Sequence, residues 1–193
     1  GNGVLWVPSL NYNTNSLTAP GNAGTMIFDA SGDKGANVYR APRAMTITHV
    51  APVIVGAVTP NELSFRIETV DTAANAKPTG TLWATNTSIT GLTPVAATTL
   101  VGTLTASASI AAGDVFAVVV EPSDADAINV TIRTYNNDSG TIGGGDVPYG
   151  CFNTTGSYVA NPDLLCVAVY DSDTAQWVFL SEGVGIEQSY QSS

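Results

Sequence analysis

Leu63-Ser64-Phe65-Arg66-Ile67-Glu68 alternates apolar and polar side chains without a break. Successive side chains leave a β-strand on opposite sides, so a period of two marks a strand with one buried face, here carrying Leu63, Phe65 and Ile67. Upstream, Met45-Thr46-Ile47-Thr48-His49-Val50 repeats the pattern, and downstream Ile128-Asn129-Val130-Thr131-Ile132-Arg133 returns to it. The run from Val115 to Glu121 is almost wholly apolar and β-branched, which predicts a central strand covered on both faces. Leu164 to Tyr170 and Gln176 to Leu180 predict a closing hairpin around Asp171-Ser172-Asp173-Thr174, whose short polar side chains favour a turn. No segment carries a helical period. Many short strands separated by turn signals about every ten residues predict an all-β fold, an antiparallel, jelly-roll-like β-sandwich.

The punctuation agrees. Lys77-Pro78-Thr79-Gly80 predicts a tight turn, and Ala111-Ala112-Gly113-Asp114 the start of the apolar strand behind it. Gly143-Gly144-Gly145 lacks the Lys and Ser/Thr of a phosphate loop and reads as a flexible loop. The first 40 residues stand apart from the sandwich domain assigned to 41–193. In them the strand-forming Val4-Leu5-Trp6-Val7 precedes the polar Asn11-Tyr12-Asn13-Thr14-Asn15-Ser16. Two readings stay open: a first strand of the same sandwich, or an extended arm that completes a neighbouring subunit's sheet edge.

Composition narrows the function. The chain has 193 residues, enough for one domain with its own core. Only 11% of residues are charged, against roughly 25% in ordinary globular proteins, which excludes long solvated helices. Sixteen acids face six bases, for a net charge of -10. Binding to a nucleic-acid backbone is excluded, because Lys and Arg supply most of that affinity. The longest stretch without a charged residue, Pro78 to Gly113, is interrupted by Gly80, Gly91, Pro94 and Gly102 and is no membrane-spanning helix.

Candidate chemistry is sparse. The one histidine, His49, lies in a strand pattern, and no Gly-x-Ser-x-Gly elbow accompanies it, so it reads as a structural or surface residue. Glu68, Glu121 and Asp146 are the most separable carboxylates for glycoside hydrolysis, but no sequence context marks them. Asp29-Ala30-Ser31-Gly32-Asp33 spaces the oxygens of Asp29, Ser31 and Asp33 as a calcium loop would, against the plainer reading of a solvated turn. Asp124, Asp126, Asn136, Asn137 and Asp138 are placed in loops that could converge on the same kind of ion. Cys151 and Cys166 are either bridged or buried thiols, and one His with two separated Cys makes no zinc site. Trp83, Tyr149, Phe152 and Tyr158 lie beside turns and are the candidate stacking platform for a sugar or a protein partner, each with a core role as the competing reading.

Three stretches taken in order carry a resemblance. They are Leu63 to Asp71, then Lys77-Pro78-Thr79-Gly80-Thr81-Leu82-Trp83-Ala84-Thr85-Asn86, then Ala111 to Val120, followed by Val147-Pro148-Tyr149-Gly150-Cys151-Phe152-Asn153. This order resembles the β-sandwich domains of tailed-phage and environmental-virus structural proteins, in which a strand ending near an Asp leads to a Pro-x-Gly-x-Leu turn. The resemblance covers roughly Thr46 to Leu180 and leaves out the N-terminal region. It implies a non-enzymatic virion protein of tail-fibre, capsid-decoration or adhesin type, at the virion surface or extracellular, that binds copies of itself, other virion proteins or a surface glycan. From the residues themselves, the one cofactor expected is a structural calcium ion at the Asp29–Asp33 loop, and no membrane insertion is expected. The alternatives are a secreted carbohydrate-binding module and an extracellular filament subunit joined by strand donation.

Overall fold

The computed structural model describes residues 4–6, 23–30, 32–57, 62–71, 77–123, 129–136, 149–153, 158–161 and 163–181. Its strands in chain order are β1 (Val4–Trp6), β2 (Ala23–Phe28), β3 (Lys34–Arg40), β4 (Met45–Ala57), β5 (Leu63–Asp71), β6 (Lys77–Leu82), β7 (Ser88–Leu92) and β8 (Thr98–Thr99). They continue with β9 (Gly102–Ile110), β10 (Val115–Pro122), β11 (Val130–Asn136), β12 (Tyr149–Asn153), β13 (Tyr158–Asn161), β14 (Asp163–Leu165), β15 (Val167–Asp171) and β16 (Gln176–Ser181). Two antiparallel sheets pack face to face, as the alternating patterns predict. The first runs β1-β16-β15-β4-β11-β14, with β2 on β11 and β8 and β9 on β4; the second runs β13-β12-β3-β10-β5-β6, with β7 on β5.

The apolar run at Val115 becomes β10, paired on both sides, with Val118 opposite Asn37 of β3 and Ile67 of β5. Phe116, Val118 and Val120 point into the sandwich with Phe65, Ile67, Phe28 and Ile132. Ala117 and Val119 point the other way and pack with Ala36 and Val38 in a second, smaller cluster. The strand is therefore buried on both faces. The closing hairpin forms where expected, with Val169 opposite Val178, but its first arm is broken at Cys166 into β14 and β15, and Asp171 pairs with Gln176, which moves the turn to residues 172–175.

Three further features differ from the sequence reading. First, residues 23–40 supply β2 to one sheet and β3 to the other, so sandwich strands begin well before residue 41. Second, Lys77-Pro78-Thr79-Gly80 is strand β6 and not a turn. Proline is tolerated there because β6 lies at a sheet edge. The register jumps between Glu68–Leu82 and Val70–Pro78, and Gly80, at φ +83°, takes the left-handed conformation that this bulge needs. Third, β4 runs beyond Val50 to Ala57 through Pro52, which lies where β4 exchanges β15 for β11 along one edge.

Two devices join the sheets at their sides. On one side β9 leaves β4 between His49–Thr103 and Ile47–Ala108. There the Ala106 N–H donates to the Asn86 carbonyl, and the Trp83 indole N–H donates to the Ser109 carbonyl, at 2.8 Å each. Gly102 permits this approach: a Cβ there would lie 2.5 Å from Leu92 Cδ1 and 2.7 Å from Phe65 Cδ2. Because the Phe65 ring is fully buried, Gly102→Ala is expected to cost about 1–3 kcal/mol of stability through overpacking. Urea unfolding followed by fluorescence measures this, and an unchanged midpoint would show that the sheets separate freely here.

On the other side the chain turns a corner at Cys166. β14 before it pairs with β11, while β15 after it pairs with β4. The Cys166 N–H donates to the Arg133 carbonyl, and its own carbonyl accepts from the Val53 N–H. At this corner the backbone of Leu165 is met by a side chain of the opposite sheet. The Leu165 N–H donates to Asn37 Oδ1 at 2.9 Å, and Asn37 Nδ2 donates to the Leu165 carbonyl at 2.8 Å. Asn37 Nδ2 also donates to the Tyr39 hydroxyl at 2.7 Å. Asn37 is fully buried, so its carboxamide acts as a short piece of strand inside the core.

Candidate functional site

The outer face of the first sheet carries an aromatic cluster. Val50, Val169 and Val178 point into the core, so alternation places their neighbours His49, Tyr170 and Trp177 on the outer face. The ladders set Tyr170 opposite both His49 and Trp177. Ring centroids lie 5.3 Å apart for His49–Tyr170 and for Tyr170–Trp177, both edge to face, and 6.0 Å apart for His49–Trp177. All three residues are half-buried. Thr48 Oγ1 lies 2.8 Å from His49 Nδ1 and fixes the imidazole. Such a cluster presents apolar ring surface together with ring N–H and hydroxyl groups, which suits a sugar face or a protein side chain.

The outer face of the second sheet carries an ionic ladder. Lys34 Nζ lies 2.8 Å from Glu121 Oε2, and Arg66 Nε lies 2.7 Å from Glu68 Oε1 and 3.8 Å from Glu121 Oε1. The Gly80 N–H donates to Glu68 Oε2, and Arg66 donates to the Gly80 carbonyl. Two of the separable carboxylates, Glu68 and Glu121, are thus brought together around one guanidinium. Each is engaged by cations or a backbone donor, and Glu68 is almost completely buried. This arrangement ties β3, β10, β5 and β6 across their outer face. Asp146 lies outside the described residues.

At the end of the closing hairpin a third cluster forms around Asp171, which is fully buried. Arg43 Nη1 donates to Oδ2, as does the Thr174 hydroxyl, while the N–H groups of Thr46 and Asp173 donate to Oδ1 at 3.0 and 3.1 Å. Burial opposes ionisation of this carboxyl. The hydrogen bonds from Arg43, Thr46 and Asp173, with the Arg43 charge, outweigh it and hold the pKa below the usual range.

The structure separates the other sequence candidates. Asp33 is buried, and its Oδ2 accepts from the N–H groups of Asp29 and Ala30 at 2.9 and 3.0 Å, closing the loop that carries the chain from one sheet to the other. Asp29 is exposed, and Ser31 lies outside the described residues, as do Asp124, Asp126, Asn137 and Asp138. No group of three or more His, Cys, Asp or Glu residues is gathered around a common point among the described residues. Trp83 is half-buried, packs against the main core and donates its N–H to Ser109. The backbones of Tyr149, Phe152 and Tyr158 belong to β12 and β13, at the opposite edge of the second sheet from β6, the strand that precedes Trp83. Register puts positions 153 and 158 opposite one another, and 152 opposite 159.

Residues Val4, Leu5 and Trp6 pair with Ser181, Leu180 and Phe179 of the same chain, as an edge strand of the first sheet. Val7 lies outside the described residues. Cys166 is a free, buried thiol. Burial pushes its pKa up to about 12, despite the opposing charge of Arg133, so it stays protonated and unreactive at neutral pH. Among the described residues no helix is long and apolar enough to cross a membrane.

The aromatic cluster escaped the sequence reading, which sought aromatics beside loops. The signal was present only in part: the strand containing His49 has an obvious polar face, but counting outward from an Asp171–Thr174 turn sets position 170 opposite 175, whereas the observed loop at 172–175 sets it opposite 177. No protein-family model, no curated protein and no solved structure matches the chain.

Proposed function

We propose that this protein is a non-enzymatic structural or attachment subunit of a virion, of capsid-decoration or tail-fibre type, that acts by self-assembly and surface binding. One observation carries the non-enzymatic part. Among the described residues, the clustered carboxylates Asp171, Glu68, Glu121 and Asp33 are engaged in holding strands and turns. The virion setting rests on the resemblance in strand order and turn chemistry between Thr46 and Leu180. The three-residue edge strand β1 supports assembly, since so short a pairing can be exchanged between copies at little cost.

Light scattering during size exclusion tests this reading on the full chain and on a chain lacking residues 1–15. Assembly of the full chain is expected, and its loss on deletion would place β1 in the contact. Monomers at every concentration for both chains, together with a clear hit on a glycan array, would overturn the virion reading.

The His49–Tyr170–Trp177 cluster favours a second reading, a carbohydrate-binding module. On that reading Trp177→Ala abolishes glycan binding while Trp83→Ala lowers stability, because Trp83 bonds the two sheets together. Glycan binding that survives Trp177→Ala would rule out this cluster as the platform.

A further inference from the structure

From Pro78 to Gly113 the chain has no charged residue, in a protein of net charge -10. This stretch folds into β6, β7, β8 and β9 and the connections between them. The large hydrophobic residues exposed among the described residues are Ile27, Val95 and Val101, and two of these three lie here, 60% and 49% exposed. Val101 begins a row of exposed positions that continues with Thr103, Thr105, Ser107 and Ser109 on β9. β8 and β9 pair with β4 alone in their sheet. A sheet edge that must stay solitary is ordinarily guarded by charges, especially Lys, or by inward-pointing charged groups. This one has none.

We propose that the uncharged flank formed by residues 93–101 and β9 is the surface on which two copies of this chain associate. The inference rests on the self-assembling reading above and assigns it a surface. Charge selects the occupant. Two molecules of net charge -10 repel one another over most approaches, and this flank is where they can touch without opposing like charges. A two-fold contact sets a patch against itself, which an uncharged Val/Thr/Ser surface satisfies and a charged one does not. The absence of Lys and Arg offers nothing to a polyanion.

Sedimentation velocity over a wide concentration range tests the proposal on four full-length proteins: wild type, Val95→Glu/Val101→Glu, Thr103→Lys/Thr105→Lys, and Ile27→Glu as a control on β2. Thermal unfolding is recorded for each. Both double variants are expected to weaken association at least tenfold, with the control unchanged. The second pair places like charges on already exposed threonines, so it decides the matter if the first pair lowers the melting temperature. Equal association of all four proteins overturns this surface but leaves the self-assembling reading standing. A wild type that is monomeric throughout overturns both.

Discussion

Replacing Asn37 with alanine is expected to lower the unfolding free energy by about 3–5 kcal/mol, one of the two largest effects of any single substitution considered for this fold. The change removes three hydrogen bonds at once. It leaves the Leu165 N–H, the Leu165 carbonyl and the Tyr39 hydroxyl buried without partners, in a core where each such group costs about 1–3 kcal/mol. A small cavity adds to the loss. Burial already holds Tyr39 well above its ordinary pKa of 10.0, only partly offset by the bond from Asn37, so the phenol cannot escape the problem by ionising. Asn37→Asp distinguishes hydrogen bonding from packing. Its volume is preserved, but at neutral pH it sets a buried carboxylate against the Leu165 carbonyl. Protonation restores a donor, so the defect of this variant is expected to shrink as pH falls, whereas that of Asn37→Ala is not. Urea titrations at several pH values give both results. If Asn37→Ala costs less than about 1 kcal/mol, the amide does not hold the corner.

This residue also shows where local reading stops. Strand β10 and the closing hairpin were legible because their signals lie within a few consecutive residues: a β-branched run, and a short polar turn between apolar segments. The corner at Cys166 has no such signal. It arises because β14 and β15 take different neighbours, which only the assembled sheet decides. The asparagine that serves it sits in Lys34–Arg40, where a buried amide reads in sequence as an interruption. Pro78 and Gly80 misled for a related reason. The conformations that make them good in turns also suit an edge strand with a bulge, and β5 beside them selects the second. Among the candidate sites, the Asp33 carboxylate was correctly placed in a loop. Its two backbone donors could not be read from spacing, because the same alternation of oxygens serves a turn and an ion equally well.

The second large effect is expected at Asp171. Asp171→Ala removes the acceptor shared by Arg43, Thr174 and the N–H groups of Thr46 and Asp173, and is expected to cost about 2–4 kcal/mol at neutral pH. Arg43 keeps partial access to solvent, so its released charge is hydrated and does not raise the cost to that of a fully buried orphan. The sign of the pH dependence follows from the lowered pKa. A carboxyl that ionises more readily in the folded state than in the unfolded one stabilises the fold above its unfolded pKa, near 3.9. That contribution is lost as pH falls through the still lower folded value. The stability difference between wild type and Asp171→Asn is therefore expected to be constant from neutral pH down to about 5, and to narrow only below about 4. Asn retains one carbonyl acceptor for the turn but not the charge that pairs with Arg43, so this comparison isolates the ionic part. Arg43→Gln should produce part of that flattening, since the Thr46 and Asp173 N–H groups still favour the carboxylate, and the double variant should cost little more than Asp171→Asn alone, because both changes remove the one ion pair. Full additivity of the two would mean that Asp171 holds the hairpin through its backbone donors alone, with Arg43 a bystander.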